Sequence, residues 1–495
     1  MEILFYKNEC SYFDYEFEDV IKLFFLPDRI RKISEPLDEH SGAFLFCSAA
    51  VSEGRTRINL QLRDKSFNET EWISLEEEIS AGSSQKLKTV KRILKRKLFL
   101  LLQKYTGKTI PWGVMTGIRP VKLVNEYLDA GMSRERILHS LQKDYFVTRK
   151  KADLLYEVAV NQRDLFHHSS DRSVSVYIGI PFCPSRCLYC SFSSSTIGQY
   201  RNAIDTYVET LLREIRHTAR LIREKALQVE SIYIGGGTPT SLGESQLSAL
   251  LEGIEKYLDM SFLKEYTLEA GRPDTIDAGK LKAIRNSRIT RISINPQTMN
   301  AATLERIGRN HTPAEVENAF FLARELGFDN INMDLICGLP GEDMGMFENT
   351  LDKIARLGPD SLTVHALAIK RASRLTEERE KYSLENQYAQ VAGMVDSARG
   401  FAKGMGLEPY YLYRQKNILG NLENVGYSVK GKECLYNIQI MEERQTILAC
   451  GAGAVTKAVF PSNRLERAFN VKSVEEYMGR IDEMIQRKAM LLQQE

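Results

Sequence analysis

The stretch "YIGIPFCPSRCLYCSF", residues 177–192, sets Cys183, Cys187 and Cys190 four and then three positions apart. A thiolate acts as a nucleophile or a metal ligand, and three so close together point to one shared ligand. A structural zinc ion takes four protein ligands, commonly as two paired motifs. This run supplies three; His167 and His168 lie upstream of it, and no second Cys-x-x-Cys pair exists in the chain. Three thiolates instead suit three irons of a four-iron cluster, leaving the fourth iron open to a small molecule. An open iron implies chemistry, not scaffolding. A second stretch, "YIGGGTPT", puts Gly235, Gly236 and Gly237 at the end of an apolar run. Glycine lets backbone approach a ligand closely, although alone the run reads equally well as a tight turn.

Such residues need elements to position them. From residue 176 to about 370, short β-branched runs alternate with amphipathic helical stretches, the pattern of parallel strands joined by crossover helices. The strands read "VYIGI", "SIYIGG", "YTLEA", "RISINPQ", "INMDLI" and "LTVHALAI". Between the first two, Ile204, Val208, Leu211, Leu212, Ile215 and Ala219 recur at roughly helical spacing. Six βα units result, so the fold class is α/β with a partial (β/α)6 barrel over residues 166–375. In such barrels the chemistry gathers at the C-terminal ends of the strands.

Residues 1–165 read as an accessory α+β domain, and residues 376–495 as a mainly helical C-terminal domain containing "PYYLYRQKN" and the glycine-rich "LACGAGAV". Within the first, "KLKTVKRILKRKLFLLLQKY" aligns Leu87, Val90, Leu94, Leu98 and Leu101 on one helix face. Lys86, Lys88, Lys91, Arg92, Lys95, Arg96 and Lys97 occupy the others. A solvated basic face is one reading; contact with RNA, a membrane surface or an anionic substrate is the other.

At 495 residues, 43% hydrophobic and 27% charged, the chain is expected to be globular with two or three domains. Its apolar "LFLLL" run is far below the roughly 20 residues that span a bilayer. The start, "MEILFYKNEC", lacks the basic and long apolar regions of a secretory signal, so a cytoplasmic protein is expected. In a reducing cytosol eight cysteines are thiols or metal ligands; the scattered Cys10, Cys47, Cys337, Cys434 and Cys450 read as small core hydrophobes. A net charge of +2 gives no reason to expect general nucleic-acid binding.

The spacing Cys-x-x-x-Cys-x-x-Cys, with Tyr189 before the third cysteine, resembles the radical S-adenosylmethionine (SAM) superfamily. In order, "YIGIPFC", "GGGTPT", "LEAGRPDT", "RISINPQTMN", "RIGRNHT" and "NINMDLICGLPG" resemble the oxygen-independent coproporphyrinogen III oxidase family, the coproporphyrinogen dehydrogenases. The likeness runs from residue 176 to about 368, and "PYYLYRQKN" adds a likeness to the HemZ-type branch. It implies oxidative decarboxylation of two propionates of coproporphyrinogen III to vinyls, giving protoporphyrinogen IX for haem and porphyrin biosynthesis. A 4Fe-4S cluster and SAM, two molecules per chain, are the implied cofactors. Coproporphyrinogen III or another tetrapyrrole, and a low-potential electron donor such as flavodoxin or ferredoxin, are the implied partners.

The same resemblance makes Cys183, Cys187 and Cys190 the cluster ligands. Tyr177 lies beside the sulfonium of the first SAM, Gly236 touches that SAM through its backbone, and Glu269 is the carboxylate on it. Tyr189, Gly237, Thr238, Gln297, Arg309, Asp334 and Ala366 take a second SAM; on residue type alone Arg309 reads as a surface charge and Asp334 as a strand-end cap. A substrate with four carboxylates calls for a cationic, aromatic-lined mouth. Arg272, Lys370, Arg371, Arg374, Arg414 and Lys416 are the candidate cations, with Tyr410, Tyr411 and Tyr413 for stacking; His311 and His365 are candidates for proton transfer or haem ligation. Two positions depart from the oxidase pattern, which has His two residues after the tyrosine and Cys two after the third ligand: here they are Gly179 and Phe192. Phe at the latter place also marks related haem chaperones and some tetrapyrrole-modifying relatives, so haem transfer and haem modification stand beside decarboxylation.

Overall fold

The computed structural model describes residues 3–493 apart from 10–12, 26–28, 35–41, 53–54, 76–83, 168–169, 193–194, 371, 379–380, 383–387, 416–417, 419–420 and 462–463. The chain divides into two compact units, Met1–Pro120 with Glu126–Tyr156, and Val121–Asn125 with Glu157–Glu495. Among the described residues no helix is long and apolar enough to cross a membrane.

The first unit holds β1 (Leu4–Asn8), β2 (Ile30–Lys32), β3 (Ala43–Ser52), β4 (Arg55–Arg63) and β5 (Asn68–Leu75) in one sheet, ordered β2-β1-β3-β4-β5. Strand alternation puts Leu4, Tyr6, Leu45, Leu60 and Leu62 into a core shared with the helices Asp14–Phe24 and Ser84–Thr106. The second helix is the expected basic one. Val90, Leu94, Leu98 and Leu101 are buried; the side chains of Lys86, Leu87 and Lys88 lie outside the described residues. Its cations meet acids of the same unit, Lys91 to Glu16 at 2.8 Å, Lys97 to Glu71 at 2.8 Å and Arg96 to Asp144 at 3.0 Å. These three are therefore partnered inside the unit.

The second unit opens with β6 (Ser173–Ile180), and the short parallel pair β7 (Phe182–Cys183) and β8 (Ser195–Thr196) brackets the cysteine loop. β9 (Gln228–Gly236), β10 (Glu265–Glu269), β11 (Arg291–Ser293), β12 (Ile331–Cys337) and β13 (Ser361–Ala366) follow, each after helical crossover chain. The six expected strands, β6 and β9 to β13, lie side by side in chain order and all parallel.

Five more strands come from the C-terminal third: β14 (Glu408–Tyr413), β15 (Asn424–Ser428), β16 (Thr446–Cys450), β17 (Val455–Phe460) and β18 (Arg464–Phe469). β16 pairs parallel with β6, β15 antiparallel with β13, and the full order is β14-β15-β13-β12-β11-β10-β9-β6-β16-β17-β18. The segment expected to be mainly helical thus alternates the helices Tyr388–Gly404, Leu435–Glu442, Val474–Gly479 and Ile481–Leu492 with strands that extend the same open sheet at both edges. Its strands are five or six residues long, and runs so short carry too few periods to distinguish strand from helix.

Alternation divides the parallel strands into two faces. Val174, Val176, Ile178, Ile232, Leu268 and Leu335 form an apolar buried set. The opposite set is polar: Ser175, Tyr177, Tyr233, Glu269, Asn332 and Asp334. Asn332 joins four neighbours there. Its amide donates to Ser293 Oγ at 3.3 Å and Asp334 Oδ1 at 2.8 Å, and its carbonyl accepts from Ser361 at 3.2 Å and Thr363 at 3.1 Å.

A buried ion pair fastens the C-terminal helix to the crossover helix Ile204–Glu224. Lys488 Nζ lies 2.9 Å from Glu214 Oε1, with both side chains essentially inaccessible. Glu214 also accepts from Asn470 at 2.9 Å, Tyr477 at 2.6 Å and the Gly451 amide at 2.8 Å, while Lys488 donates to Thr218 at 2.9 Å. Removing one partner strands the other charge in a dry interior, which costs about 3–5 kcal/mol. Lys488→Met is accordingly expected to lower unfolding stability by that amount in urea titration, and Glu214→Gln combined with Lys488→Met to cost less than the two singles added together.

Candidate functional site

The cysteine loop leaves the end of β6 and is laced to neighbouring backbone. The amide of Gly237 donates to Ile180 O at 2.7 Å and that of Thr238 to Phe182 O at 2.8 Å; Leu188 N donates to Ile307 O at 2.9 Å. Here the glycine run has a structural cause. A Cβ at Gly237 would lie 2.4 Å from Phe182 O and 3.0 Å from Cys183 Sγ, and Gly236, at φ +114°, would bring one within 2.9 Å of Ile180 O. Only glycine fits both. Cys187 is buried, whereas Cys183 and Cys190 are partly exposed; burial pushes the Cys190 thiol up.

Arg272 and Arg309 both face Cys187 of this loop. Arg272 Nη1 is 3.5 Å from Cys187 Sγ, and the Arg309 charge faces Tyr189 and Cys187. Positive charge beside sulfur suits thiolate ligands. Among the described residues no three His, Cys, Asp or Glu side chains converge on a single ion. Close by, Arg309 Nε, Asn295 Oδ1 and both ring nitrogens of His311 are buried without a hydrogen-bond partner. Buried polar atoms are ordinarily partnered, and these leave donors and acceptors for a bound ligand. The residues present therefore fit a cluster with a polar ligand beside it.

Next to the loop, register brings Tyr177 opposite Tyr233 and Leu268 opposite Ile234. Glu269, one residue further, consequently meets the glycine run: a Cβ on Gly235 would be 2.9 Å from Glu269 Oε2. Tyr233 donates its hydroxyl to Glu269. Tyr177, Tyr233 and Tyr436 stack, with centroids of the last two 4.5 Å apart and of Tyr177 and Tyr436 6.0 Å apart. Burial raises the Glu269 carboxyl to about 7, more than the Tyr233 hydrogen bond lowers it.

The residues assigned to a second SAM lie on the next strands. Gln297 is buried and holds φ +67°, left-handed for a side chain that is not glycine, fixed by Gln297 N to Asp334 O at 2.9 Å and Ile336 N to Gln297 O at 3.0 Å. Non-glycine residues in that region cluster at functional sites. Arg309 is buried, not a surface charge, and donates to Asn295 O at 2.5 Å and Gly271 O at 3.3 Å. Asp334 Oδ2 lies 3.8 Å from His365 Nε2, and His365 Nδ1 lies 3.3 Å from the Tyr413 hydroxyl. Burial alone would push the Asp334 carboxyl up; His365 and Asn332 more than offset it and hold it below the ordinary range. Thr238 is buried, Tyr189 packs beside the Leu188, Leu304 and Ile307 cluster, and the Ala366 amide donates to Asn424 at 3.0 Å.

The expected substrate cations fare differently. Arg272 is 2% exposed. Arg414 is buried too, donating to Asn421 O at 2.7 Å, and burial lowers its guanidinium to about 10. Arg374 pairs with Glu378 of its own helical turn at 3.0 Å. Lys370 lies over the exposed Phe192 ring at 5.7 Å. Arg371 and Lys416 fall outside the described residues. Tyr410 and Tyr411 are buried; Tyr413 stacks on Tyr411 at 6.1 Å. His311 is buried 3.8 Å from Asp274, too far for a hydrogen bond. Sequence reading missed Tyr233, Tyr436 and Asp274. Tyr233 was within reach, being two residues before Gly235 and so on its face; Tyr436 comes from the C-terminal third, with no local signal.

These features define a radical SAM protein. Residues 177–354 match the family model of the Radical SAM superfamily, and the fold resembles a solved structure of coproporphyrinogen III oxidase (HemN) from Escherichia coli, with a TM-score of 0.51 at 23% identity over 63% of this chain and 70% of that one. The chain is 42% identical over 413 residues, 82% of each protein, to the oxygen-independent coproporphyrinogen-III oxidase-like protein HemZ of Bacillus subtilis. It belongs to that HemZ-like family of radical SAM proteins. It is also 37% identical over 197 residues to the heme chaperone HemW of Bacillus subtilis, 40% of this chain and 51% of that one.

Two outcomes follow from this geometry. Because the native Glu269 carboxyl keeps its proton up to about pH 7, the folded state binds more protons than the unfolded one between about 4.5 and 7, and stability falls as pH rises through that window. Glu269→Gln is expected to match the natural protein in urea unfolding near pH 5 and to exceed it by up to about 3 kcal/mol at pH 8. Cys187→Ala is expected to stay folded yet lose most iron, sulfide and visible absorbance after reconstitution, since two thiolates cannot hold three irons.

Proposed function

We propose that this chain is a radical SAM enzyme that oxidatively decarboxylates two propionates of coproporphyrinogen III to vinyls, giving protoporphyrinogen IX without oxygen. The observation that carries the reading is a three-cysteine loop joined through glycine-only contacts to the half-buried Glu269 carboxylate on one strand-end face, in a chain 42% identical to an oxidase-like relative. When bound, a 4Fe-4S cluster and SAM supply hydrogen-atom abstraction from the substrate side chain.

The chain's own residues bind and orient. Glu269 takes the ammonium of the first SAM; a cation there favours the ionised carboxylate and draws its pKa back down from about 7. The Tyr177, Tyr233 and Tyr436 stack walls that carboxylate from water. Gly236 offers backbone on the same side. Gln297, Arg309 and Asp334, with Tyr189, Gly237, Thr238 and Ala366, hold a second SAM, the guanidinium suiting its carboxylate and the ionised Asp334 its ribose hydroxyls. One electron per cleavage comes from a low-potential donor such as flavodoxin or ferredoxin. The hydrogen atom taken from each propionate side chain leaves in 5'-deoxyadenosine, and the electron released with CO2 passes to a separate one-electron acceptor.

A second reading, haem binding and transfer, is favoured by the HemW likeness and by Phe192, which is 66% exposed beside the cysteine loop. Anaerobic turnover separates the two. Reconstituted protein with coproporphyrinogen III, SAM and a strong reductant is expected to yield the mono-vinyl intermediate and then protoporphyrinogen on chromatography. Arg309→Ala and Asp334→Ala are expected to keep their iron and some 5'-deoxyadenosine formation while losing tenfold or more of vinyl product, about 1.4 kcal/mol or more of binding; Glu269→Ala loses both products. Cluster-loaded protein that forms no vinyl product but passes haem to an acceptor would establish the chaperone instead.

A further inference from the structure

Arg272, one of the candidate cations for substrate carboxylates, is buried. It leaves β10 three residues after Glu269 and turns inward. Nε and Nη2 fork onto Asp274, at 2.9 Å to Oδ1 and 2.8 Å to Oδ2. The remaining donors reach the cysteine loop: Nη2 to Ser185 Oγ at 3.2 Å, Nη1 to Ser185 O at 3.4 Å, and Nη1 to Cys187 Sγ at 3.5 Å. A guanidinium has five N–H groups in a rigid plane, and five contacts use them all. Lysine cannot reproduce this geometry, because its ammonium is a point charge on a flexible stem.

The anchor is itself fixed. Thr275 N and Oγ1 both donate to Arg272 O, at 2.9 and 2.7 Å, closing the turn that carries Asp274. Burial alone would raise the Asp274 carboxyl; His311 and Arg272 hold it far below the ordinary range, so the fork stays charged. Arg309 is a second cation on Cys187, itself held by Nη1 donating to Asn295 O and Gly271 O. Arg272 thus places an N–H 3.5 Å from the Cys187 sulfur while its other N–H groups fix the guanidinium to Asp274 and Ser185.

We propose that Arg272, held by Asp274, is a positioning residue that donates to the Cys187 sulfur and raises the reduction potential of the cluster. The proposal rests on the cluster reading above. Adding one electron makes a thiolate-held cluster more negative, and hydrogen bonds and fixed positive charge at its sulfurs stabilise that form more than the oxidised one. The effect is strong here because the pair is buried, where charge is poorly screened. Arg272 thus sets how strong an external one-electron donor must be.

The test is a potentiometric titration followed by electron paramagnetic resonance, on reconstituted full-length protein and on Arg272→Gln, Arg272→Lys and Asp274→Asn, with iron and sulfide measured in each. Titanium(III) citrate serves as reductant, without SAM or porphyrinogen. Arg272→Gln is expected to weaken cluster reduction at least tenfold, a midpoint lower by at least about 59 mV for a one-electron couple. Asp274→Asn and Arg272→Lys are expected to fall between it and the natural protein. A midpoint for Arg272→Gln within threefold of the natural value overturns the proposal. So does failure of both Arg272→Gln and Asp274→Asn to take up iron that the natural protein holds, which would make the fork a loop brace alone. If the natural chain itself assembles no cluster, the cluster reading falls, and this proposal with it.

Discussion

The inner face of the parallel sheet is both buried and polar, and the remainder of the second unit answers to that constraint. A buried donor or acceptor without a partner costs a few kcal/mol, so the strands can pair only in a register that satisfies the whole set. Asn332 shows how tightly this binds the fold: one amide serves Ser293, Asp334, Ser361 and Thr363, on three different strands. Sliding any of them by one residue would turn its polar set outward and bring an apolar set in. The site sits at the end of this hydrogen-bonded floor, on strands that cannot shift.

Close backbone approach is the second device. Glycines bring three strand ends together where any side chain would hold them apart. Gly237 lies against the cysteine loop, and Gly451, at φ +108°, would put a Cβ 2.4 Å from Gly179 O. Gly179 is itself confined, with the Tyr177 ring 3.3 Å and Cys450 O 3.5 Å from where its Cβ would be. The glycine that departs from the oxidase pattern is thereby tied to the packing of β16, a strand supplied by the C-terminal third. The Glu214 and Lys488 pair, through the Gly451 amide, secures that same crossing from behind.

Electrostatics then separates two carboxylates that share one face. Glu269 is desolvated and has a tyrosine hydroxyl for company, which leaves it near 7; Asp334 has an imidazole and an amide and stays ionised. Environments that push two acids apart commonly mark different tasks. One is ready to receive a cation and the other to accept hydroxyl hydrogen bonds, and this division underlies the assignment of two ligand positions.

The cysteine triad, the glycine run and the six parallel strands were legible because each is local. Spacing decides whether three thiols can share a ligand, and alternation decides which residues share a face; neither needs distant chain. What only the tertiary structure decided is where cations point and who joins whom. Arg272 looked like a substrate contact and instead spans Asp274 and the cysteine loop, while Arg414 is buried against its own turn. Tyr436 reaches the Tyr177 and Tyr233 stack from more than 200 residues away, and β14 to β18 join a sheet whose pattern seemed complete without them. A side chain's partner is set by the register and packing of strands far apart in the chain, and no local period records that choice.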